Sequence, residues 1–142
     1  NARFGDPECQ VLMMRLEDDL AELLLATEQG RLAEHGPVTM TDACALTVVM
    51  AAKGYPGTPE KGGAIQGVDA VASDTVQVFH AGTAMQDGAL VASGGRVLNV
   101  TAVGASIGEA QARAYAAADA IDFPSGFCRR DIGWREIARE AN

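Results

Sequence analysis

The chain has 142 residues, of which 48 % are apolar and 5 % aromatic, and its formal net charge is −8. This length allows one domain, or one small domain with a piece of another, and the apolar content excludes a disordered chain. The negative charge disfavours a broad nucleic-acid surface, because phosphate backbones are bound by an excess of Lys and Arg.

Cysteine usage and hydropathy further limit the classes of protein to which the chain can belong. Cys9, Cys44 and Cys128 form no CxxC pair and lie away from both histidines, which disfavours a zinc site. An odd cysteine count fits a reducing cytoplasm, and no apolar run reaches the ~18 residues of a membrane helix. We therefore expect a cytoplasmic protein outside the membrane. Since the polar start has neither a signal peptide nor an initiator Met, we expect it to be a cut inside a longer protein.

The first part of the chain predicts helices. Asp6-Pro7 is a good helix start, since Asp can cap free N–H groups and Pro suits the first helical position. The acidic residues from 17 to 22 form either a solvated face or the start of a second helix. We favour two helices with a break near Arg15–Asp18 and a C-cap at Gly30. One apolar face is indicated by leucines at spacings of three and four, namely Leu12, Leu16, Leu20, Leu23 and Leu24.

A β-rich region is predicted after a linker over 34–41. Asp87-Gly88 lies between short apolar runs and indicates a hairpin. Ser106 and Glu109 form a capping box, which predicts an Ala-rich helix to about Ile121, and residues 127–134 have no clear assignment. Predicted strands cover 43–52, 76–81 and 96–103, with 90–92 as a further short run. The pattern as a whole predicts an α+β fold.

The usual catalytic and phosphate-binding motifs are absent from the sequence. No Ser-His-Asp or Cys-His arrangement can be argued, since His35 and His80 are far apart and are interpreted as surface or structural residues. Neither GxxxxGK(S/T) nor GxGxxG occurs. A self-contained kinase or dehydrogenase is therefore disfavoured.

Polar clusters in three places are candidate binding sites. Residues 1–8 place Arg3 before a helix N-terminus, which suits an anion, although an ordinary capped helix is the alternative. The Gly-rich stretch 54–63 with Lys61 could approach a ligand closely, or could be a surface loop. Residues 93–96 could hold a phosphate with backbone N–H groups and one Arg, or could be a hairpin loop with a solvated Arg.

Taken in order, these clusters resemble segments of glycinamide ribonucleotide synthetases, a family of ATP-grasp ligases. The resemblance covers essentially the whole chain and implies that it is the C-terminal portion of such a ligase, too short to be the whole enzyme. The sequence blocks that carry it are NARFGDPECQ at 1–10, GYPG and EKG within 54–62, FHAGT at 79–83, GGRVLNVT at 94–101 and RRDIG at 129–133.

The resemblance implies two parts with different roles. Residues 1–36 would be the C-terminal tail of the ATP-grasp domain. Residues 37–142 would be a small β-rich, partly open barrel-like domain with one or two helices that closes over the active site. The family enzyme uses ATP to activate glycine as an acyl phosphate, which the amine of phosphoribosylamine attacks to give glycinamide ribonucleotide. Most of the ATP-binding cleft would lie upstream, so this chain alone is expected to be inactive.

The resemblance also implies roles for individual residues. Asn1 matches a family ligand for Mg²⁺ or Mn²⁺, and Arg3 would contact the transferred phosphoryl group or the glycine carboxylate. Asp6 is a candidate partner of the glycine amine. The 5′-phosphate of phosphoribosylamine is assigned to the turn formed by Gly94, Gly95 and Arg96, with Lys61 as a candidate second cation. The substrate-binding residues implied are thus Asp6, Pro7, Lys61, Gly94, Gly95 and Arg96.

Two other interpretations stay open. The chain could belong to another ATP-grasp ligase, such as a carboxylase or a formate-dependent purine enzyme, although the residues that follow Asn1 and Arg3 look different there. It could also be a non-catalytic binding module, against which the presence of Lys61 and Arg96 argues mildly. The expected partners are ATP, glycine, phosphoribosylamine and the rest of the same polypeptide, in a monomer.

Overall fold

The computed structural model describes residues 2–141. Its centre is a four-stranded antiparallel sheet in which the strands lie in the order β2, β5, β1, β6. The strands are β1 (Cys44–Ala52), β2 (Val76–His80), β5 (Arg96–Gly104) and β6 (Gly126–Phe127), while β3 (Thr83–Gln86) and β4 (Ala89–Ala92) form a separate hairpin. A short 3-10 helix, Asp69–Val71, precedes β2.

Strands β1 and β5 form the centre of the core, because their side chains alternate between two faces of the sheet and each face is covered by a helix. In their register Val49 lies opposite Asn99 and Thr47 opposite Thr101. Side chains directly opposite each other project from the same face of a sheet, so these four share one face. The other face is apolar and buried, and it consists of Leu46, Val48, Met50, Leu98, Val100 and Ala102.

Helix α4 (Ile107–Ala120) covers this apolar face. Its N-terminus is capped by Ser106, whose Oγ accepts from the Glu109 N–H at 3.1 Å. Glu109 reaches back to the N–H of Ala105 at 2.7 Å rather than to that of Ser106, so the predicted capping box is present with a one-residue shift. The buried side of α4 consists of small residues that allow close approach to the sheet, namely Ala110, Ala114, Ala117 and Ala118.

Helix α1 (Glu8–Arg15) packs on the opposite face of β1 and β5, and α2 (Leu20–Glu28) and α3 (Leu32–His35) follow it. The predicted break after Arg15 is confirmed, since Asp19 caps α2 by accepting from two backbone N–H groups at 2.7 and 3.1 Å. Gly30 follows α2 with a left-handed φ of 68°.

The prediction that Asp6 caps α1 is wrong. Pro7 occupies the N-cap position without a side-chain cap, and the carboxylate of Asp6 points to other partners. The predicted linker is also more ordered than expected, because its first residues belong to α3 and residues 39–41 pair with 15–17. In that pairing Thr41 N donates to Arg15 O at 2.8 Å.

The predicted hairpin is confirmed between β3 and β4. Asp87 and Gly88 both have positive φ, 50° and 80°, as a tight two-residue turn requires. The segment without an assignment starts at Phe127, the last residue of β6, and ends at the first residue of α5 (Trp134–Glu140).

The fold is therefore α+β with antiparallel sheets, and no closed barrel forms within residues 2–141. Across these same residues, no helix combines the length and apolarity that a bilayer crossing demands.

Candidate functional site

Two adjoining clefts lie where the start of α1 meets the start of β5. The polar cleft, of about 530 Å³, is lined by Asp6, Tyr55, Ala81, Gly82, Gly95 and Arg96. The apolar cleft, of about 490 Å³, is lined mainly by the outer face of β1, by Pro7 and by residues near β6 such as Phe127, Cys128 and Ile132. Tyr55 and Arg96 border both clefts, so a cationic group stands between a polar and an apolar compartment.

An ion pair connects the two chain segments at the polar cleft. Arg96, the first residue of β5, places its Nη2 3.1 Å from Oδ2 of Asp6, the second residue before α1. The two side chains are 42 % and 36 % exposed. Exposed ion pairs contribute only about 0–1 kcal/mol, so the guanidinium can exchange Asp6 for another anion at little cost.

The other oxygen of Asp6 is held by two amides. Gln10 Nε2 and Asn99 Nδ2 each donate to Asp6 Oδ1 at 3.0 Å. Asn99 lies in the middle of β5 and is fully buried. Asn99 is not among the site residues predicted from the sequence, although an amide inside an apolar strand run is a signal that could identify it.

The turn before β5 is fixed by backbone contacts with Gly82. Its carbonyl oxygen accepts from Ser93 N–H at 2.7 Å and from Gly94 N–H at 3.1 Å. The N–H of Gly94 is therefore occupied within the chain, so this one of the backbone N–H groups expected to hold a phosphate already has an acceptor. Gly95 instead has a steric role, because a Cβ at this position would lie 2.5 Å from Cδ2 of Tyr55.

The remaining predicted site residues lie at different distances from this centre. Pro7 lines the apolar cleft. Arg3 is exposed, donates from Nη1 to the Phe4 carbonyl at 2.9 Å, and lines neither cleft. Lys61 is exposed and also lines neither cleft. The predicted metal ligand Asn1 lies outside the described residues.

No metal site is complete within the part of the chain that the structure describes. Residues 2–141 contain no group of three or more His, Cys, Asp or Glu side chains arranged to hold an ion. A metal bound near residue 1 would therefore need further ligands from elsewhere.

The far wall of the apolar cleft is held by hydrogen bonds to the ring hydroxyl of Tyr115. That hydroxyl donates to Arg129 O at 2.8 Å and accepts from Ile132 N–H at 3.1 Å. Burial raises the pKa of the Cys128 thiol, and the positive charge of Arg130 opposes this only partly. Burial of Cys128 in the cleft wall therefore disfavours the thiolate, which is the form in which a cysteine reacts.

A third surface lies on the helical part of the chain. An apolar groove of about 290 Å³ runs between α1, α2 and the residues after α3. Its edges include Phe4 and Leu24, which are 60 % and 61 % exposed. Contiguous exposed apolar surface is a common site of contact with other protein, a membrane or a ligand.

The sequence of the chain is similar to that of known proteins over most or all of its length. The sequence model of a family described as "Phosphoribosylglycinamide synthetase, C domain" matches residues 45–135. A phosphoribosylamine–glycine ligase of Mesorhizobium japonicum is 69 % identical over 140 residues, which are 99 % of this chain and 33 % of the relative. A chloroplastic phosphoribosylamine–glycine ligase of Arabidopsis thaliana is 51 % identical over 143 residues, covering 99 % of this chain and 27 % of the relative.

A solved structure shares the fold. The crystal structure of phosphoribosylamine–glycine ligase from Thermotoga maritima matches with a TM-score of 0.77 and 36 % identity, over 91 % of this chain and 31 % of that one. The chain thus spans about a third of the length of the bacterial relatives and the solved structure that it matches.

Proposed function

The chain belongs to the phosphoribosylglycinamide synthetase C-domain family, and we propose that it is the C-terminal part of a phosphoribosylamine–glycine ligase. The proposed ligase uses ATP to join glycine to 5-phosphoribosylamine, giving glycinamide ribonucleotide, ADP and phosphate in purine synthesis. The observation that carries the proposal is the match of 99 % of the chain to a relative of that name at 69 % identity.

The proposed ligase is a longer, monomeric polypeptide in which this chain supplies one wall of the active site. Residues 1–36 would be the tail of an ATP-grasp domain, and residues 37–142 a partly open, barrel-like domain. The exposed apolar groove beside α1 and α2 supports a longer polypeptide, because it offers a surface on which the rest of the same polypeptide can pack. ATP would be bound mainly by that other part.

The polar cleft is the proposed site of the 5′-phosphate of phosphoribosylamine. Arg96 presents a rigid fork of donors there, and a phosphate carries nearly two negative charges. The chain is acidic overall, so an anion needs such a local cation. Gly95 keeps the cleft open beside Tyr55, and Gly94 shapes the turn through its bond to Gly82.

Asp6 is proposed to bind the ammonium group of glycine. Its carboxylate faces the polar cleft beside Arg96, where an ammonium group of glycine can donate to it. When phosphate engages Arg96, Asp6 loses part of its ion pair and becomes a better acceptor for that ammonium group. Phosphate binding and amine binding would therefore support each other.

Metal and phosphoryl contacts are proposed at the start of the chain. An amide oxygen such as that of Asn1 suits Mg²⁺ or Mn²⁺, which would offset charge on the phosphates of ATP. Arg3 would turn from the Phe4 carbonyl to the transferred phosphoryl group or the glycine carboxylate. Lys61 would add charge near the cleft only after a movement of its side chain, since it lines neither cleft.

The experiment is a substrate survey of the full-length polypeptide that carries this chain. ATP consumption should require both glycine and phosphoribosylamine. Turnover with bicarbonate or formate instead of glycine would assign the chain to another ATP-grasp ligase. A polypeptide without turnover and without saturable binding of glycinamide ribonucleotide would be a non-catalytic module, and the proposed function would be wrong.

A further inference from the structure

We propose that Asn99 is a positioning residue, which fixes the carboxylate of Asp6 and through it the guanidinium of Arg96 at the polar cleft. The inference rests on the proposed function only for the identity of the ligand. The contact that carries it joins Asn99 Nδ2 to Asp6 Oδ1 at 3.0 Å, between residues 93 positions apart in the chain.

The hydrogen bonds around Asp6 divide between its two oxygens. Oδ1 accepts from the amides of Asn99 and Gln10, and Oδ2 faces Arg96. With Oδ1 held from the buried side, the carboxylate plane cannot rotate freely, and Oδ2 stays directed at the guanidinium. An arginine that is already oriented loses less conformational entropy when it binds a phosphate.

The burial of Asn99 indicates that it is present for this donor function. Within residues 2–141, the Oδ1 atom of Asn99 and the Oε1 atom of Gln10 are buried without a hydrogen-bond partner. An unsatisfied buried carbonyl oxygen costs stability, and an apolar side chain at this point of β5 would avoid that cost. Asn99 therefore gives the fold little that a leucine would not, whereas a leucine cannot donate to Asp6.

The same strand offers a matched control. Thr101 lies two residues further along β5, shares the face of Asn99 and is equally buried. Its Oγ1 donates to Thr47 Oγ1 at 2.8 Å, and the Thr101 side chain lines neither cleft. A purely structural role for buried polar groups on this strand would make Asn99 and Thr101 behave alike.

The experiment compares Asn99→Leu with Thr101→Val in the full-length polypeptide. For Asn99→Leu we expect roughly tenfold weaker binding of glycinamide ribonucleotide, measured by calorimetry, and a melting temperature within a few degrees of the parent. For Thr101→Val we expect a lower melting temperature and unchanged binding. Loss of stability without loss of affinity in Asn99→Leu would overturn the proposal.

A second variant tests the hydrogen bond itself. In Asn99→Asp, two carboxylates would meet at the position of the present contact, and they can remain there only by sharing a proton. Asp6 and Arg96 are the charged groups in direct contact with this network. The ratio of variant to parent dissociation constants should therefore fall as the pH is lowered from 8 to 5.5, because the protonated group can donate again. A ratio independent of pH would contradict the donor role.

A ligand-free measurement separates this proposal from the proposed function. Side-chain NMR of Arg96, assigned with Arg96→Lys, should show a more mobile guanidinium in Asn99→Leu than in the parent or in Thr101→Val. If the parent fails to bind glycinamide ribonucleotide while this difference is seen, the proposed function is wrong and the positioning role stands. If Arg96 is equally mobile in all three proteins, the positioning role is wrong.

Discussion

Arg96 and Asp6 face each other across the polar cleft, with 3.1 Å between Nη2 and Oδ2, and so join the first strand residue of β5 to the segment that precedes α1. The cation proposed to bind phosphate is thus partly neutralised before a ligand arrives. A phosphate that binds there replaces or shares a carboxylate partner, which lowers the net gain from its charge.

Replacement of Arg96 by Ala should raise the KM for phosphoribosylamine in the full-length polypeptide. A charge-assisted contact is worth about 1.5–3 kcal/mol, which corresponds to an increase of roughly tenfold to a hundredfold. Steady-state assays should show KM values for ATP and glycine near those of the parent. A rise in the KM for ATP alone would move the turn to the nucleotide side of the active site.

Replacement of Lys61 by Ala should have a much smaller effect. Its side chain is exposed and lines neither cleft, so it can act only through a screened, long-range charge. We expect the KM for phosphoribosylamine to rise by about threefold at most, and less at high salt. An effect as large as that of Arg96→Ala would place Lys61 in the site.

Replacement of Gly95 by Ala should destabilise the protein through a clash with Tyr55. The added Cβ would lie 2.5 Å from the ring, and overpacking of this kind costs about 1–3 kcal/mol. Thermal unfolding should show a loss of stability when Gly95→Ala is made in the parent protein. It should show no such loss when Gly95→Ala is added to Tyr55→Ala. As a control, Gly108→Ala places its Cβ no closer than 3.8 Å to Ser106 Oγ and should be close to neutral.

Alkylation of Cys128 should be slow and should need a higher pH than that of an unfolded thiol. Burial raises the pKa of Cys128, so less thiolate is present at a given pH in the folded chain. Because the pKa of Cys128 is higher in the folded chain than in the unfolded chain, the stability that the protonated thiol contributes is present below the unfolded pKa. It is lost as the pH rises through the folded pKa. The measurement is the rate at which iodoacetamide alkylates Cys128 in a Cys9→Ser, Cys44→Ser background, with the chain folded and with the chain unfolded in urea. Faster alkylation of the folded chain would refute it.

The chain by itself should have no ligase activity. It spans about a third of its bacterial relatives, and no metal site is complete within residues 2–141. Incubation of the purified chain with ATP, glycine and phosphoribosylamine should release no phosphate. Release that depends on both substrates would show that the rest of the proposed ligase is not required.

Local patterns predicted the features that depend on neighbouring residues. The break near Arg15–Asp18, the hairpin at Asp87-Gly88 and the strand at 96–103 follow from capping, turn geometry and the apolar run. The resemblance selected Arg96 and Asp6, although it assigned them to different substrates. The structure shows in addition that the two side chains form an ion pair.

Features that depend on contacts across the chain could not be predicted. Asp6 was expected to cap α1, but its oxygens are taken by Arg96, Gln10 and Asn99. Likewise, the Gly94 N–H is occupied by the carbonyl of Gly82, from a different strand connection. The spacing of residues in the sequence does not show which of several possible partners a donor or acceptor contacts in the folded chain.

The contact between Asp6 and Asn99 joins residues that the ribosome synthesises at different times. A ribosome adds residues from the N-terminus, so the segment that carries Arg3 and Asp6 leaves the exit tunnel well before β5 does. Until Asn99 and Arg96 emerge, the carboxylate of Asp6 lacks two of its three side-chain partners, and of the three only Gln10 has been synthesised. The polar cleft is therefore completed only after β5 has been synthesised, and a nascent chain that stalls before β5 carries Arg3 and Asp6 without the strand that orients Asp6.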